Sequence, residues 1–268
     1  MSFSVKNFTD NDDVKILQAN GPFSVIEYQR DLSLLPHEAQ QAYFSSIMNI
    51  RRRQLVCDMD KANVTVQAGA MQWMLGDVHA TTGIKGAGDL FGKAIRGKVT
   101  GESAIKPEYK GSGILVLEPT FRHIILVDLA EWGGSVVLDD GLFLACDSNI
   151  RHKAVMRSNF SSAMLGGEGL FNLSLNGEGV AALECSCPKE ELVEINLMND
   201  EVKIDGNLAV VWSTTLDFTV ERSGKTLIGS AASGEGLVNV YRGTGRVWMA
   251  PYAGNFALQA LHAAVSND

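Results

Sequence analysis

The chain's only close cysteine pair is Cys185-Ser186-Cys187. Two thiolates one residue apart can share a metal ion or oxidise together. The usual zinc spacings also need a second pair or a nearby histidine, and neither follows. His37-Glu38-Ala39-Gln40-Gln41 begins as a helical zinc-protease motif does, but Gln41 stands where the second histidine must be. Asp139 and Asp140 with His152 offer an acid–base set. However, Gln67-Ala68 and Ile204-Asp205 fall at the same point of the repeat described below, so turn chemistry accounts for the aspartates. No Gly-x-Ser-x-Gly elbow occurs, and His37, His79, His123, His152 and His262 hold no fixed relation to a serine or cysteine. The sequence therefore assigns no catalytic, cofactor-binding or metal-binding residue, and the expectation is a protein that is not an enzyme.

Two basic stretches stand out on a chain of net charge −8. Thr82–Lys98 is rich in glycine and carries Lys85, Lys93, Arg96 and Lys98 against the single acid Asp89. Backbone amides of such a loop can cradle a phosphate, but Ala94 follows Gly92-Lys93 and Ala87 stands where the phosphate motif wants glycine. Loop 82–98 is read as a structural or partner-contact loop, with an anion site as its alternative. Arg51-Arg52-Arg53 reads as a solvated helix end, where cations complement the helix dipole. The overall acidity makes nucleic acid an unfavoured partner.

The elements that must position these residues follow from a pattern written three times. A Gly-x-Gly step precedes an apolar run at Gly111-Ser112-Gly113, Gly177-Glu178-Gly179 and Gly243-Thr244-Gly245, with starts 66 residues apart. Gly101-Glu102-Ser103, Gly167-Glu168-Gly169 and Gly234-Glu235-Gly236 mark the strand before each. An earlier marker ends at Gly69, Gly141 and Gly206, after the runs from Val64, Val136 and Val202. Three markers kept in order three times define an internal repeat. The second unit spans Ile124–Leu183, the third Glu190–Met249, and the first begins near Val64. Glycine tolerates positive φ, so each Gly-x-Gly is read as a hairpin turn between short apolar strands.

The fold class expected is all-β: a sandwich or barrel of three internal repeats of antiparallel strands, with a helix near the N-terminus and a short C-terminal helix. Residues 1–20 are polar and expected to be loosely ordered. Residues 21–63 hold a strand, Phe23–Tyr28, and a helix over Pro36–Arg53, with Ala39, Tyr43, Ile47 and Ile50 at helical spacing. Residues 64–252 form the β domain, and 253–268 a helical tail capped by Asn255. The N-terminus lacks a signal-peptide pattern, and no stretch approaches the ~20 apolar residues of a membrane span. Four cysteines do not make a disulfide framework, so the cytoplasm is the expected location.

The runs Gly141-Leu142-Phe143-Leu144-Ala145, Gly167-Glu168-Gly169-Leu170-Phe171 and Gly234-Glu235-Gly236-Leu237-Val238, with the Gly-x-Gly steps and Gly69-Ala70-Met71-Gln72-Trp73-Met74, resemble the altered-inheritance-of-mitochondria (mitochondrial biogenesis) protein family, formerly a domain of unknown function. The resemblance covers roughly Val64 to Pro251. It implies a fold like that of the tryptophan RNA-binding attenuation protein, with a pseudo-threefold arrangement inside one chain. It implies no established enzyme activity and offers no catalytic residues. Mitochondrial members are associated with inner-membrane organisation, and the helix over Pro36–Arg53 looks like an addition to the common pattern. The function expected is a non-enzymatic β scaffold that acts through protein–protein contacts with an unidentified partner and as a homo-oligomer. The alternative is a small-ligand or nucleic-acid binding module that uses the basic loop 82–98.

Overall fold

A computed structural model describes residues 3–81, 106–156, 171–222 and 237–252. Loop 82–98, the tail 253–268 and the three Gly-Glu markers at 101–103, 167–169 and 234–236 lie outside the described residues. Among the described residues the protein is all-β with one α-helix, near its N-terminus, as the sequence indicates.

The first strands are β1 (Val14–Asn20) and β2 (Phe23–Tyr28), which form an antiparallel pair. Val14–Asn20 falls within the stretch expected to be loosely ordered; pairing with β2 gives it its structure. The helix α1 (Ala39–Ile47) follows a 3-10 turn at Pro36–Glu38. It is shorter than the Pro36–Arg53 of the sequence reading because Asn49 adopts φ 58°, the left-handed conformation that ends helices.

The three units then follow. The first contains β3 (Arg53–Asp58), β4 (Val64–Val66), β5 (Met71–Thr81) and β6 (Glu108–Leu117). The second contains β7 (His123–Asp128), β8 (Ser135–Leu138), β9 (Phe143–Asp147), β10 (Arg151–Met156), β11 (Phe171–Asn176) and β12 (Val180–Cys185). The third contains β13 (Val193–Asp205), β14 (Ala209–Ser213), β15 (Leu216–Arg222) and β16 (Leu237–Met249). By its pairing, β3 in the first unit occupies the place of β7 and the first half of β13, so that unit starts at Arg53 rather than near Val64.

One sheet runs β1-β2-β3-β6-β4-β9-β12-β7, with β5 also on β6. The other runs β10-β11-β8-β14-β16-β13, with β15 also on β16. The first sheet curls until its ends meet: the Gln18 side chain on β1 donates to the Ile124 carbonyl on β7 at 2.7 Å. Beneath these strands Ile125, Leu138, Leu175, Leu183 and Val211 form one buried cluster, and Phe23, Leu55, Val64, Leu115 and Leu117 another.

The Gly-x-Gly steps are not hairpin turns. At each the chain runs on and exchanges neighbours. Before Gly111, β6 pairs with β4, and after Gly113 with β3. Before Gly243, β16 pairs with β15, and beyond Gly245 with β14. Gly177-Glu178-Gly179 carries the chain from β11 in one sheet to β12 in the other. Glycine is needed because backbones touch there. A Cβ on Gly111 would lie 1.8 Å from the Asp77 carbonyl oxygen, and one on Gly113 2.0 Å from that of Leu75.

Candidate functional site

Strands β2 and β3 are direct neighbours, with Glu27 opposite Arg53, so residues 29–52 form an excursion that leaves the sheet and returns beside its point of departure. Polar contacts fasten its stem. Arg52 pairs with Asp31, Arg30 pairs with Asp13, and the Arg51 guanidinium donates to the Gln29 carbonyl. Tyr28 N–H donates to the Arg52 carbonyl at 3.0 Å, and Gln29 N–H to that of Asp13 at 2.7 Å. At the root, Arg53 and Glu27 form an ion pair of 2.7 Å with side chains 4% and 8% exposed. The three arginines are therefore not a solvated helix end: α1 stops before them, and each is committed to a local acceptor.

The tip of the excursion is apolar and uncovered. No residue of α1 is buried. Phe44 is 56% exposed, Ile47 59% and Met48 71%, with Tyr43 and Ile50 also in solvent, so the helical stripe seen in the sequence faces outward. Large apolar groups seldom gather on a free surface, and such a patch marks an interaction site. Between the helix and the stem lies a cavity of about 540 Å³ lined by Tyr28, Leu32, Leu34, Tyr43, Arg52 and Phe121. The Arg52 guanidinium stands over the Phe121 ring at 6.0 Å. Phe121 carries no sequence signal, since it is a lone apolar residue in a polar connection.

The Cys185 and Cys187 sulfurs come within 3.9 Å, and both residues are buried. The hydrogen bond between them holds one thiol, Cys185, below its ordinary pKa and, with burial second, pushes Cys187 up. Glu38 accepts the Leu35 N–H at 3.0 Å and so serves the helix start. Asp139 and Asp140 lie in the turn between β8 and β9, while His152 stands on β10 opposite Leu175. Among the described residues no three His, Cys, Asp or Glu side chains gather as metal ligands, and no helix is long and apolar enough to cross a membrane.

An all-β body of three repeated units, with an apolar helical excursion between β2 and β3, is a repeat-built β protein. The profile of the family described as mitochondrial biogenesis AIM24 matches residues 46–252. The chain belongs to that family, for which no specific function is assigned. It is 30% identical over 195 residues to an uncharacterised protein of Streptococcus pyogenes serotype M6, spanning 70% of this chain and 76% of that one. A crystal structure of a structural-genomics target from Streptococcus pyogenes superposes with a TM-score of 0.58 at 26% identity, covering 81% of this chain and 94% of the other. The family match begins at residue 46, so nearly all of α1 precedes it.

Proposed function

We propose that the protein is a non-enzymatic β scaffold that works through protein–protein contacts, as a homo-oligomer, in a reducing cytoplasm. The observation that carries this reading is the excursion of residues 29–52. Its stem is pinned by several polar contacts while its apolar tip, with Tyr43, Phe44, Ile47 and Met48, is exposed. A helix of nine residues is marginal alone in water, so a partner that covers this face also stabilises it. The four thiols are all unpaired and buried, as suits a reducing compartment.

Affinity capture with Phe44→Ser/Ile47→Ser, beside light scattering of the purified full-length protein, tests the reading. Neither side chain is buried, so stability should stay within about 0.5 kcal/mol of wild type. The expected result is a defined oligomer, and a partner held by wild type and lost by the variant. A strict monomer with the same bound proteins in both samples would refute it.

A further inference from the structure

The boundary between the first and second units is closed by β4 and β9, antiparallel, with Val66 opposite Ala145, Thr65 opposite Cys146 and Val64 opposite Asp147. The boundary between the second and third is closed by β8 and β14, with Leu138 opposite Val211, Val137 opposite Trp212 and Val136 opposite Ser213. The equivalent strands at the remaining boundary are the second half of β13 and the first half of β5. Among the described residues, β13 pairs only with β16 and β5 only with β6.

Two landmarks fix the equivalence. Each of β5, β9 and β14 carries a one-residue bulge at its start, which places Trp73, Ala145 and Val211 together. Leu138 lies opposite Leu173, and Ile204 opposite Asn239, each partner four residues before its Gly-x-Gly step. Carried to the open boundary, the register is Ile204 opposite Trp73, Lys203 opposite Met74 and Val202 opposite Leu75. Ile204 is buried and Trp73 is met edge-on by Phe8 at 5.3 Å, so the missing neighbour shows at Met74. Ala145, Cys146, Val211 and Trp212 are at most 2% exposed, whereas Met74 is 43% exposed.

We propose that the second half of β13 in one copy of this chain pairs antiparallel with the first half of β5 in a second copy, in that register. The inference rests on the homo-oligomeric part of the function proposed above and names its interface. A second copy fits because the chain itself carries both halves of the missing pair, and among the described residues they do not pair with each other. Two β13 edges would oppose Asp200, Glu201 and Asp205 to one another, which like-charge repulsion disfavours. Met71–Gly76 on β5 has no charged residue to clash with. Neither strand contains proline, a usual device against edge pairing. The contact is head-to-tail, so a copy joined through β13 still offers β5 and one joined through β5 still offers β13, and assembly proceeds until a ring closes.

Co-expression of two differently tagged full-length copies, one with Met74→Cys and the other with Lys203→Cys, followed by mild oxidation, tests the register. Both positions are exposed and the four native thiols are buried, which keeps background low. The expected result is a disulfide-linked species carrying both tags at twice the chain mass, absent when Glu194→Cys replaces Lys203→Cys. An oligomer by light scattering without this crosslink would overturn the interface and leave the scaffold reading standing. A monomer would overturn both. If a chain carrying both substitutions closes its disulfide internally, and copies do not link, the boundary is sealed within one chain and the proposal fails.

Discussion

Arg53 Nη2 lies 2.7 Å from Glu27 Oε2 where β3 faces β2, at the root of the α1 excursion, with both side chains removed from water. The Arg53 backbone is held from the other side by Thr120, whose N–H and carbonyl exchange hydrogen bonds with it at 2.9 and 2.7 Å. Truncating one member of such a pair strands a buried charge, so Arg53→Met or Glu27→Leu alone should cost about 3–5 kcal/mol. The double variant Glu27→Leu/Arg53→Met should be nearer to wild type than either single one. Urea unfolding of the four proteins checks this, and additive losses would show that the two charges act separately.

His123, on β7, is held below its ordinary pKa of 6.5 chiefly by burial and next by the charge of Arg53. A base with a depressed folded pKa takes up its proton more readily when unfolded. Its contribution therefore costs stability as pH falls from about 6.5 toward the folded value, and is absent at neutral pH. His123→Gln should flatten the pH dependence of the urea midpoint in that window. In Glu27→Leu/Arg53→Met, the His123 titration followed by NMR should move up without reaching 6.5, because burial, the larger cause, remains.

The Gly-x-Gly steps and the marker glycines look alike in sequence and should respond differently to alanine. At Gly113, with φ 140°, a Cβ would overlap the Leu75 carbonyl across the β5–β6 pair. At Gly69, with φ 83°, a Cβ meets nothing within 4 Å. Gly69→Ala should therefore cost only the left-handed conformation, about 1–2 kcal/mol. Gly113→Ala adds a backbone collision on top of that and should lose several-fold more, or fail to fold. Thermal melts of the two variants give the comparison, and equal losses would contradict the close approach.

What the sequence makes legible, and what it hides, divides along these same residues. The threefold repeat and the all-β class are plain because glycines at fixed spacing answer a backbone requirement that no other residue meets cheaply. The use of those glycines is hidden, since positive φ serves a strand that exchanges neighbours as well as one that reverses. β3 escapes the first unit because Arg53–Asp58 has no glycine marker and opens on the polar Arg53-Gln54 where β7 has His123-Ile124. The helical stripe of α1 is legible as a period, yet period alone does not say whether a core or a partner faces it. Arg53 reads as one of three solvated cations because its acid lies on another strand, 26 residues away.

The third unit differs from the others at a position where the prediction is sharpest. By the repeat, Trp248 falls where the second unit has Ala182 and the first has Val116, both fully buried. The larger ring is accommodated by Trp132, which meets it edge-on with centroids 5.0 Å apart. Trp248 Nε1 donates to Glu194 at 2.8 Å, and that hydrogen bond is the first cause of the lowered Glu194 pKa. Arg246, where the other units have Ile114 and Val180, lies over the Trp132 ring at 3.9 Å and donates to the Glu131 carbonyl at 2.7 Å. A flat guanidinium lies face to face on the ring and donates from its edge, a planar contact that an ammonium does not make. Arg246→Lys should therefore lose about 0.5–2 kcal/mol, the range of a partly desolvated cation–π contact. It should also shift the tryptophan fluorescence, and Arg246→Ala should lose somewhat more. A lysine variant with wild-type stability and emission would show that charge alone, rather than the stacked plane, holds the Trp132–Trp248 pair.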